Sequence, residues 1–187
     1  MKVREILSQA AFLLGKQELS DFFSGTETEA TTTQLQQEAD AFLRCYNMVE
    51  NEVALDYLPL TTEQRLETES GKLVYTAFLR TPVSIVSVTD RYGNRLPYTV
   101  YPAYLRTKQG TAVVTYSYAP TSKTLSGESE FVARVSQNLL AFGVAGEYCL
   151  TKGMYEEAVV WDKKFRDALL CACAQNSPHV VRSRRWI

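Results

Sequence analysis

One histidine stands among 187 residues, and its scarcity removes most routes to catalysis and metal binding. A general base or an imidazole ligand needs partner groups within reach. His179 stands beside Pro178, and no second histidine is available to join it. No glycine-rich phosphate loop follows a strand pattern, and no Gly-x-Ser-x-Gly, His-Glu-x-x-His or Asp-x-Asp motif occurs. The expectation is a protein that is not an enzyme and uses no cofactor or metal. Cysteines are few: Cys45, Cys149, Cys171 and Cys173, all within helical patterns. Cys171 and Cys173, two apart, point to different helix faces, and no second pair completes a zinc set. They read as small structural hydrophobes, which implies a reducing compartment during folding. No run of about 18 apolar residues exists, so no membrane span is expected. Met1-Lys2-Val3-Arg4 has the charge of a signal-peptide start, but Glu5, Ser8 and Gln9 break the apolar run after it. Net charge is −1, which argues against a general nucleic-acid binder.

What is present is enough chain for one domain, or one domain with an insertion, that folds without disulfides or metal. The near-zero charge hides a gradient. Up to Ser70 there are thirteen acidic and five basic residues; from Gly71 on there are eight acidic and fifteen basic. Opposite poles suit head-to-tail contacts between copies. A surface on which the folded chain mixes these charges is the plainer alternative.

The hydrophobic period sets the order of elements. Val3, Ile6, Leu7, Ala10, Ala11 and Leu14 predict a short helix stopped by Gly15. Residues 16–32 are rich in turn and cap residues and read as a loop. Leu35, Ala39, Phe42, Tyr46, Val49 and Val53 form a narrow seam on a helix that starts at Thr32 or Thr33 and ends near Tyr57, before Pro59. From about Glu67 to Pro120 the pattern turns strand-like, and a small antiparallel sheet of four or five strands is expected there. Tyrosines crowd this stretch: Tyr75, Tyr92, Tyr98, Tyr101, Tyr104, Tyr116 and Tyr118. Tyrosine is both a good strand residue and an interface residue. Two further helices are predicted over Glu128–Leu150, capped by Ser126 or Ser129, and over Tyr155–Ala174, with Gly153 between them. On the last helix Lys163, Lys164 and Arg166 are placed outside, and Trp161 partly buried.

The chain closes on Asn176-Ser-Pro-His-Val-Val-Arg-Ser-Arg-Arg-Trp-Ile187. Pro178 stops the helix. Arg182, Arg184, Arg185 and Trp186 are residue types enriched at interface hot spots, and Ile187 beside Trp186 favours an apolar pocket. The segment reads as an arm that docks on a protein; contact with nucleic-acid phosphates and a plain solvated tail stay open beside that reading.

Three stretches carry a resemblance: Lys2–Gly15; Ala145-Gly-Glu-Tyr-Cys149 with Tyr155-Glu-Glu-Ala158 and Trp161-Asp-Lys-Lys-Phe165; and Arg182-Ser-Arg-Arg-Trp186. Together with the order helices, β region, helical hairpin, C-terminal arm, the chain resembles tailed-phage head-to-tail connector (adaptor) proteins, the ring beneath the portal. The resemblance implies a structural virion protein of the neck, assembled in the host cytoplasm as a ring, usually of twelve copies. Its partners would be the portal protein and a tail or nozzle protein. Genomic DNA would pass through the lumen after packaging, and no membrane is involved. The docking arm would comprise His179, Val180, Val181, Arg182, Arg184, Arg185, Trp186 and Ile187. Two alternatives stand beside it: a tail or neck completion protein that binds another tail component, and a small nucleic-acid-binding adaptor that uses the basic tail.

The expected fold is α+β: a four-helix bundle-like core over residues 1–175 with an antiparallel β-sheet inserted at about 67–120, and an extended C-terminal arm at 176–187.

Overall fold

The computed structural model describes residues 1–25, 33–68, 70–133 and 135–174. It divides into two compact units: Met1–Val49 with the described residues from Lys123 on, and Glu50–Ser122.

The first unit is helical. Helix α1 (Val3–Leu13) buries Val3, Ile6, Leu7, Ala10 and Ala11, the stripe its sequence spacing requires. Gly15 turns the chain in the left-handed region at φ +70°, and the Lys16 N–H donates to the Ala11 carbonyl at 2.9 Å. A second helix follows at once, α2 (Gln17–Ser24), where the sequence reads as loop. It is short, but Leu19, Phe22 and Phe23 bury one face at i, i+3 and i+4, and Gly25 closes it at φ +83°. Tertiary packing here overrides weak local propensity. Helix α3 (Thr33–Glu52) buries the whole expected seam from Leu35 to Val49. It then widens into a π-turn, Val53–Tyr57, in which Leu58 N–H reaches back five residues to the Val53 carbonyl at 2.7 Å.

Helix α4 (Gln137–Thr151) starts nine residues later than the sequence suggests. The stretch expected as its first turns pairs instead with the N-terminus: Val3 N–H donates to Gly127 O, Ser129 N–H to Met1 O, and Lys2 bridges Glu128. Ser129 Oγ accepts from Phe131 N–H in a local turn, which competes with helix. The cap is Ser136, whose Oγ accepts from Leu139 N–H at 3.2 Å. Helix α5 (Tyr155–Ala174) returns antiparallel after Gly153, at φ +75°.

Two glycines of α4 set how closely it is approached. A Cβ on Gly143 would lie 2.6 Å from Val49 Cγ1 of α3 and 3.0 Å from the Phe165 ring of α5. A Cβ on Gly146 would meet Asp162 N at 3.5 Å and Trp161 Cβ at 3.7 Å, ordinary contact distances. The Phe142 and Trp161 rings stack 6.0 Å apart across the same pair of helices.

The second unit is β. Strands β1 (Leu60–Thr68), β3 (Pro82–Thr89) and β6 (Gly110–Tyr118) form one antiparallel sheet in the order β1-β6-β3. Strands β2 (Lys72–Val74), β4 (Thr99–Val100) and β5 (Tyr104–Arg106) form another in the order β2-β5-β4. Leu73 and Leu105 of the small sheet share one core with Val88, Ala112, Val114 and Tyr116 of the larger and with Phe78, whose ring meets Tyr116 edge-on at 5.0 Å. Strand β1 alternates exposed and half-buried positions along its length. Its Gln64 is tied inward: Leu79 N–H and Tyr116 Oη–H both donate to its Oε1.

These observations correct the four-helix bundle expectation. Among the described residues there are five α-helices, because Leu19, Phe22 and Phe23 give the supposed loop a buried face. There are two three-stranded sheets packed through one core, not the one sheet of four or five strands expected, and a 3₁₀ turn at Tyr75–Ala77 ends β2 after Val74. The fold is mixed α and β. The C-terminal arm at 176–187 lies outside the described residues, as does the suggested helix start at Thr32.

Gly143→Ala and Gly146→Ala separate packing from propensity. Each gains about 1 kcal/mol of helix propensity. At Gly143 the overlap with Val49, a stiff side chain, and with Phe165 costs more, and a net loss of about 1–2 kcal/mol is expected. At Gly146 the space is there, and stability should hold or rise. Urea midpoints at constant m-value distinguish the two outcomes.

Candidate functional site

Helix α5 buries Ala158, Phe165, Leu169 and Ala172 on its inner face. Its outer face is unusual. Tyr155, Val159 and Leu170 are each 69 % exposed, and Val160 stands beside them. Positions 155, 159 and 170 are separated by four and eleven residues, about one and three turns, so they share one face. Lys163 and Arg166 interrupt the row. Arg166 pairs with Asp162 at 2.9 Å, and Lys164 Nζ rests 4.2 Å from the centre of the Trp161 ring. Single exposed apolar side chains are ordinary on any protein. A row of three large ones on a helix face, with arginine and lysine between them, is the composition of a contact surface.

Sequence reading missed this face. It placed Lys163, Lys164 and Arg166 outside but set no apolar row beside them. The available signal was Leu170, which falls in line with Tyr155 and Val159 and with the exposed Lys163 and Arg166, away from Phe165 and Leu169. Trp161 is partly buried against α4, as its position suggested. The residues named for docking, His179, Val180, Val181, Arg182, Arg184, Arg185, Trp186 and Ile187, lie outside the described residues, so the structure brings none of them together. They follow in sequence from the end of α5 at Ala174.

The first unit also contains a charged clasp. Lys16 Nζ lies 2.8 Å from Glu38 Oε2, and Tyr148 Oη–H donates to Glu38 Oε1 at 3.3 Å. Lys16 and Lys152 place their Nζ atoms 5.2 Å and 5.5 Å from the centre of the Tyr148 ring. Burial alone would raise the Glu38 pKa, but the hydrogen bond and charge of Lys16 outweigh it and hold the carboxyl below its ordinary range. Burial alone would lower the Lys16 pKa; hydrogen bonds to Glu38 and Tyr148 outweigh it and hold the amine above its ordinary range. The clasp joins the start of α2, the first half of α3 and the end of α4, and its role is to hold helices together. Between α1 and α2 runs an open groove of about 640 Å³, lined by Arg4, Ser8, Phe12, Ser20 and Gln137 among others. The hydroxyls of Ser8 and Ser20 lie 3.1 Å apart, within hydrogen-bond distance of each other.

Cys45 and Cys149 are buried, and burial pushes both thiols up to about 11, with the Glu147 and Glu157 carboxylates adding to it. Such thiols are inert nucleophiles. Cys171 departs from the expected pattern and is exposed. Among the described residues no three metal-ligating side chains cluster, and no helix is long and apolar enough to cross a membrane. The tyrosines of the β unit divide: Tyr116 is fully buried, Tyr92 and Tyr98 are exposed, and Tyr101 and Tyr104 stack on one another at 4.7 Å.

A scan against protein-family models returns no match to this chain, and a search of curated proteins returns none.

The clasp has a pH signature. Because the folded Glu38 pKa is depressed, its contribution is full above the unfolded value and is lost as pH falls below about 4.5 and through the folded value. Lys16, raised, loses its contribution only at strongly alkaline pH. Glu38→Gln should therefore lower Tm at pH 7, by the equivalent of about 1 kcal/mol for a partly shielded pair. The wild-type and variant curves should draw together as pH falls below about 4.5. Thermal melts across pH 3–8 check this.

Proposed function

We propose that this chain is a structural connector that acts by binding, and specifically a head-to-tail adaptor of a tailed phage: a ring-forming neck component between portal and tail. The observation that carries the reading is the outer face of α5. Tyr155, Val159 and Leu170 form an exposed apolar row, and the helix that bears them leads in sequence into the basic, aromatic segment Asn176–Ile187. A partner that covered the row and accepted Arg182, Arg184, Arg185 and Trp186 would gain a buried apolar strip and several hot-spot side chains from one continuous stretch of chain. The charge gradient supports contacts between copies, since an acidic first part and a basic second part favour a heterologous interface, and such an interface closes into a ring when its rotation allows. The three stretches that resemble connector proteins supply the assignment to the neck, with the portal as the arm's partner and a tail or nozzle protein on the other side. The work of such a protein is done by binding free energy, without chemistry.

The test is electron microscopy and mass measurement of the purified chain, alone and mixed with a candidate portal. The adaptor reading expects rings on the portal. Deleting Val181–Ile187 should leave the circular dichroism spectrum unchanged and abolish portal binding. Undiminished binding by the truncated chain would remove the arm from the account. Val159→Asp with Leu170→Asp should leave Tm within a few degrees, because both side chains are already exposed, yet reduce portal binding at least tenfold. A chain that stays monomeric and ignores every portal offered would overturn the reading.

A further inference from the structure

We propose that the outward face of the small β2-β5-β4 sheet binds the phosphate backbone of a nucleic acid. The β unit is strongly divided along its sequence. Residues 50–69 hold six acidic residues and one basic; residues 71–122 hold six basic residues and one acidic. That lone acid, Asp90, is spent within its own turn, where its carboxylate accepts from Tyr92 N–H, Asn94 N–H and Asn94 Nδ2–H. A chain with a net charge of −1 thus carries a local excess of positive charge on the segment that supplies the small sheet and two strands of the larger one.

The strand register gathers part of that charge. Lys72 of β2 sits directly opposite Arg106 of β5, and Thr99 of β4 faces Arg106 from the other side. Cross-strand partners project to the same face. Leu73 and Leu105, one residue along, point the other way into the shared core, so Lys72 and Arg106 project outward, and both are exposed. Like charges directly opposite one another destabilise a sheet. A surface shaped for stability alone would put a carboxylate at one of the two. Two residues along the same face, Tyr104 pairs with Val74. The Tyr104 ring lies 5.2 Å from Lys72 Nζ and stacks on Tyr101 at an interplanar angle of 18°. The pairing extends past the strands: Thr107 N–H donates to Gly71 O, and Thr107 Oγ1–H to Pro97 O. Lys108 follows Thr107 in sequence, just past this pairing. The acids of β1, Glu63 and Glu67, belong to the other sheet.

A face with lysine and arginine opposite one another and two tyrosine rings beside them matches a nucleic-acid strand, whose phosphates take the cations and whose bases stack on aromatic side chains. An acidic polypeptide would satisfy the cations but leave the tyrosines without a counterpart. Charge complementarity and the aromatic row together favour nucleic acid. The inference stands apart from the adaptor reading and survives its failure.

The experiment uses the full chain with a fluorescently labelled DNA oligonucleotide, as single strand and as duplex, with anisotropy measured between about 50 and 200 mM salt. Binding that weakens with salt is expected, to one or both forms. A preference for the single strand supports backbone contact with base stacking, and equal binding supports backbone contact alone. Lys72→Gln with Arg106→Gln should weaken binding about tenfold or more and flatten the salt slope by about one to two units. Lys72→Glu should also weaken binding while holding or raising Tm, because Glu would face Arg106; this separates lost recognition from lost folding. The proposal is overturned if neither DNA form binds, or if the Gln variant binds as wild type. It is equally overturned if binding is lost only on deleting residues 176–187, or if polyglutamate competes as well as DNA of equal charge.

Discussion

Helix α4 is buried over most of its length, and the helical unit is arranged around it. Leu139, Leu140, Ala141, Gly143, Val144, Ala145, Gly146, Tyr148 and Cys149 are all buried within a helix of fifteen residues. A helix with so little polar surface must be enclosed over most of its length. Gly143 lets α3 and α5 close in on it together, since Val49 and Phe165 occupy the space a side chain would need. Tyr148 then locks its far end, against Phe42 at 4.2 Å and beneath the Lys16–Glu38 pair. Once α4 is enclosed, the pose of α5 follows. Phe165 and Leu169 must turn inward, Trp161 must stack on Phe142, and Tyr155, Val159 and Leu170 have nowhere to go but out. The exposed row is thus a consequence of how the central helix is buried, and its rigidity is inherited from that packing.

Much of this was legible in sequence, for a physical reason. Long amphipathic stretches announce themselves, and the seam from Leu35 to Val53 was readable because its members are regularly spaced and all but Ala39 are large. The sequence misled where two signals competed. Ser129 and Glu130 look like a helix start, yet the N-terminus pairs with residues 127–129 and a serine seven positions later becomes the cap. Only a contact across more than a hundred residues decides that, and no local pattern records it. In the same way α2 was hidden inside a stretch rich in turn residues, because its three buried side chains find cover only when α2 folds back on α1 and Phe23 meets Phe42 of α3. Strand β1, Leu-Thr-Thr-Glu-Gln-Arg-Leu-Glu-Thr, escaped notice for another reason. An edge strand with one wet face and a glutamine tied inward by hydrogen bonds carries almost no apolar alternation.

The candidate surfaces follow the same logic. The α5 row went unseen because helical stripes were assigned by hydrophobicity, and an exposed valine looks like a buried one. The charge gradient was legible along the chain, with its poles divided at Ser70. What it could not show is that two of its cations meet on one small sheet, since the register alone sets Lys72 opposite Arg106.

That opposition is informative because the neighbouring design is otherwise so economical. Elsewhere in this unit, cross-strand neighbours satisfy one another: Ser84 and Ser117 share a hydrogen bond at 2.7 Å, and Ser87 donates to Thr115 at 3.1 Å. Those pairs lie on the larger sheet and close its surface upon itself. The small sheet does the reverse. Its cations face each other, with the Tyr104 ring beside Lys72, at a cost of a few tenths of a kcal/mol. A cost of that size is invisible to folding, yet it disappears when an anion lies between the two charges. The sheet that closes its hydrogen bonds internally is shaped as scaffold, whereas the one that leaves like charges unreconciled is shaped for something that arrives from outside.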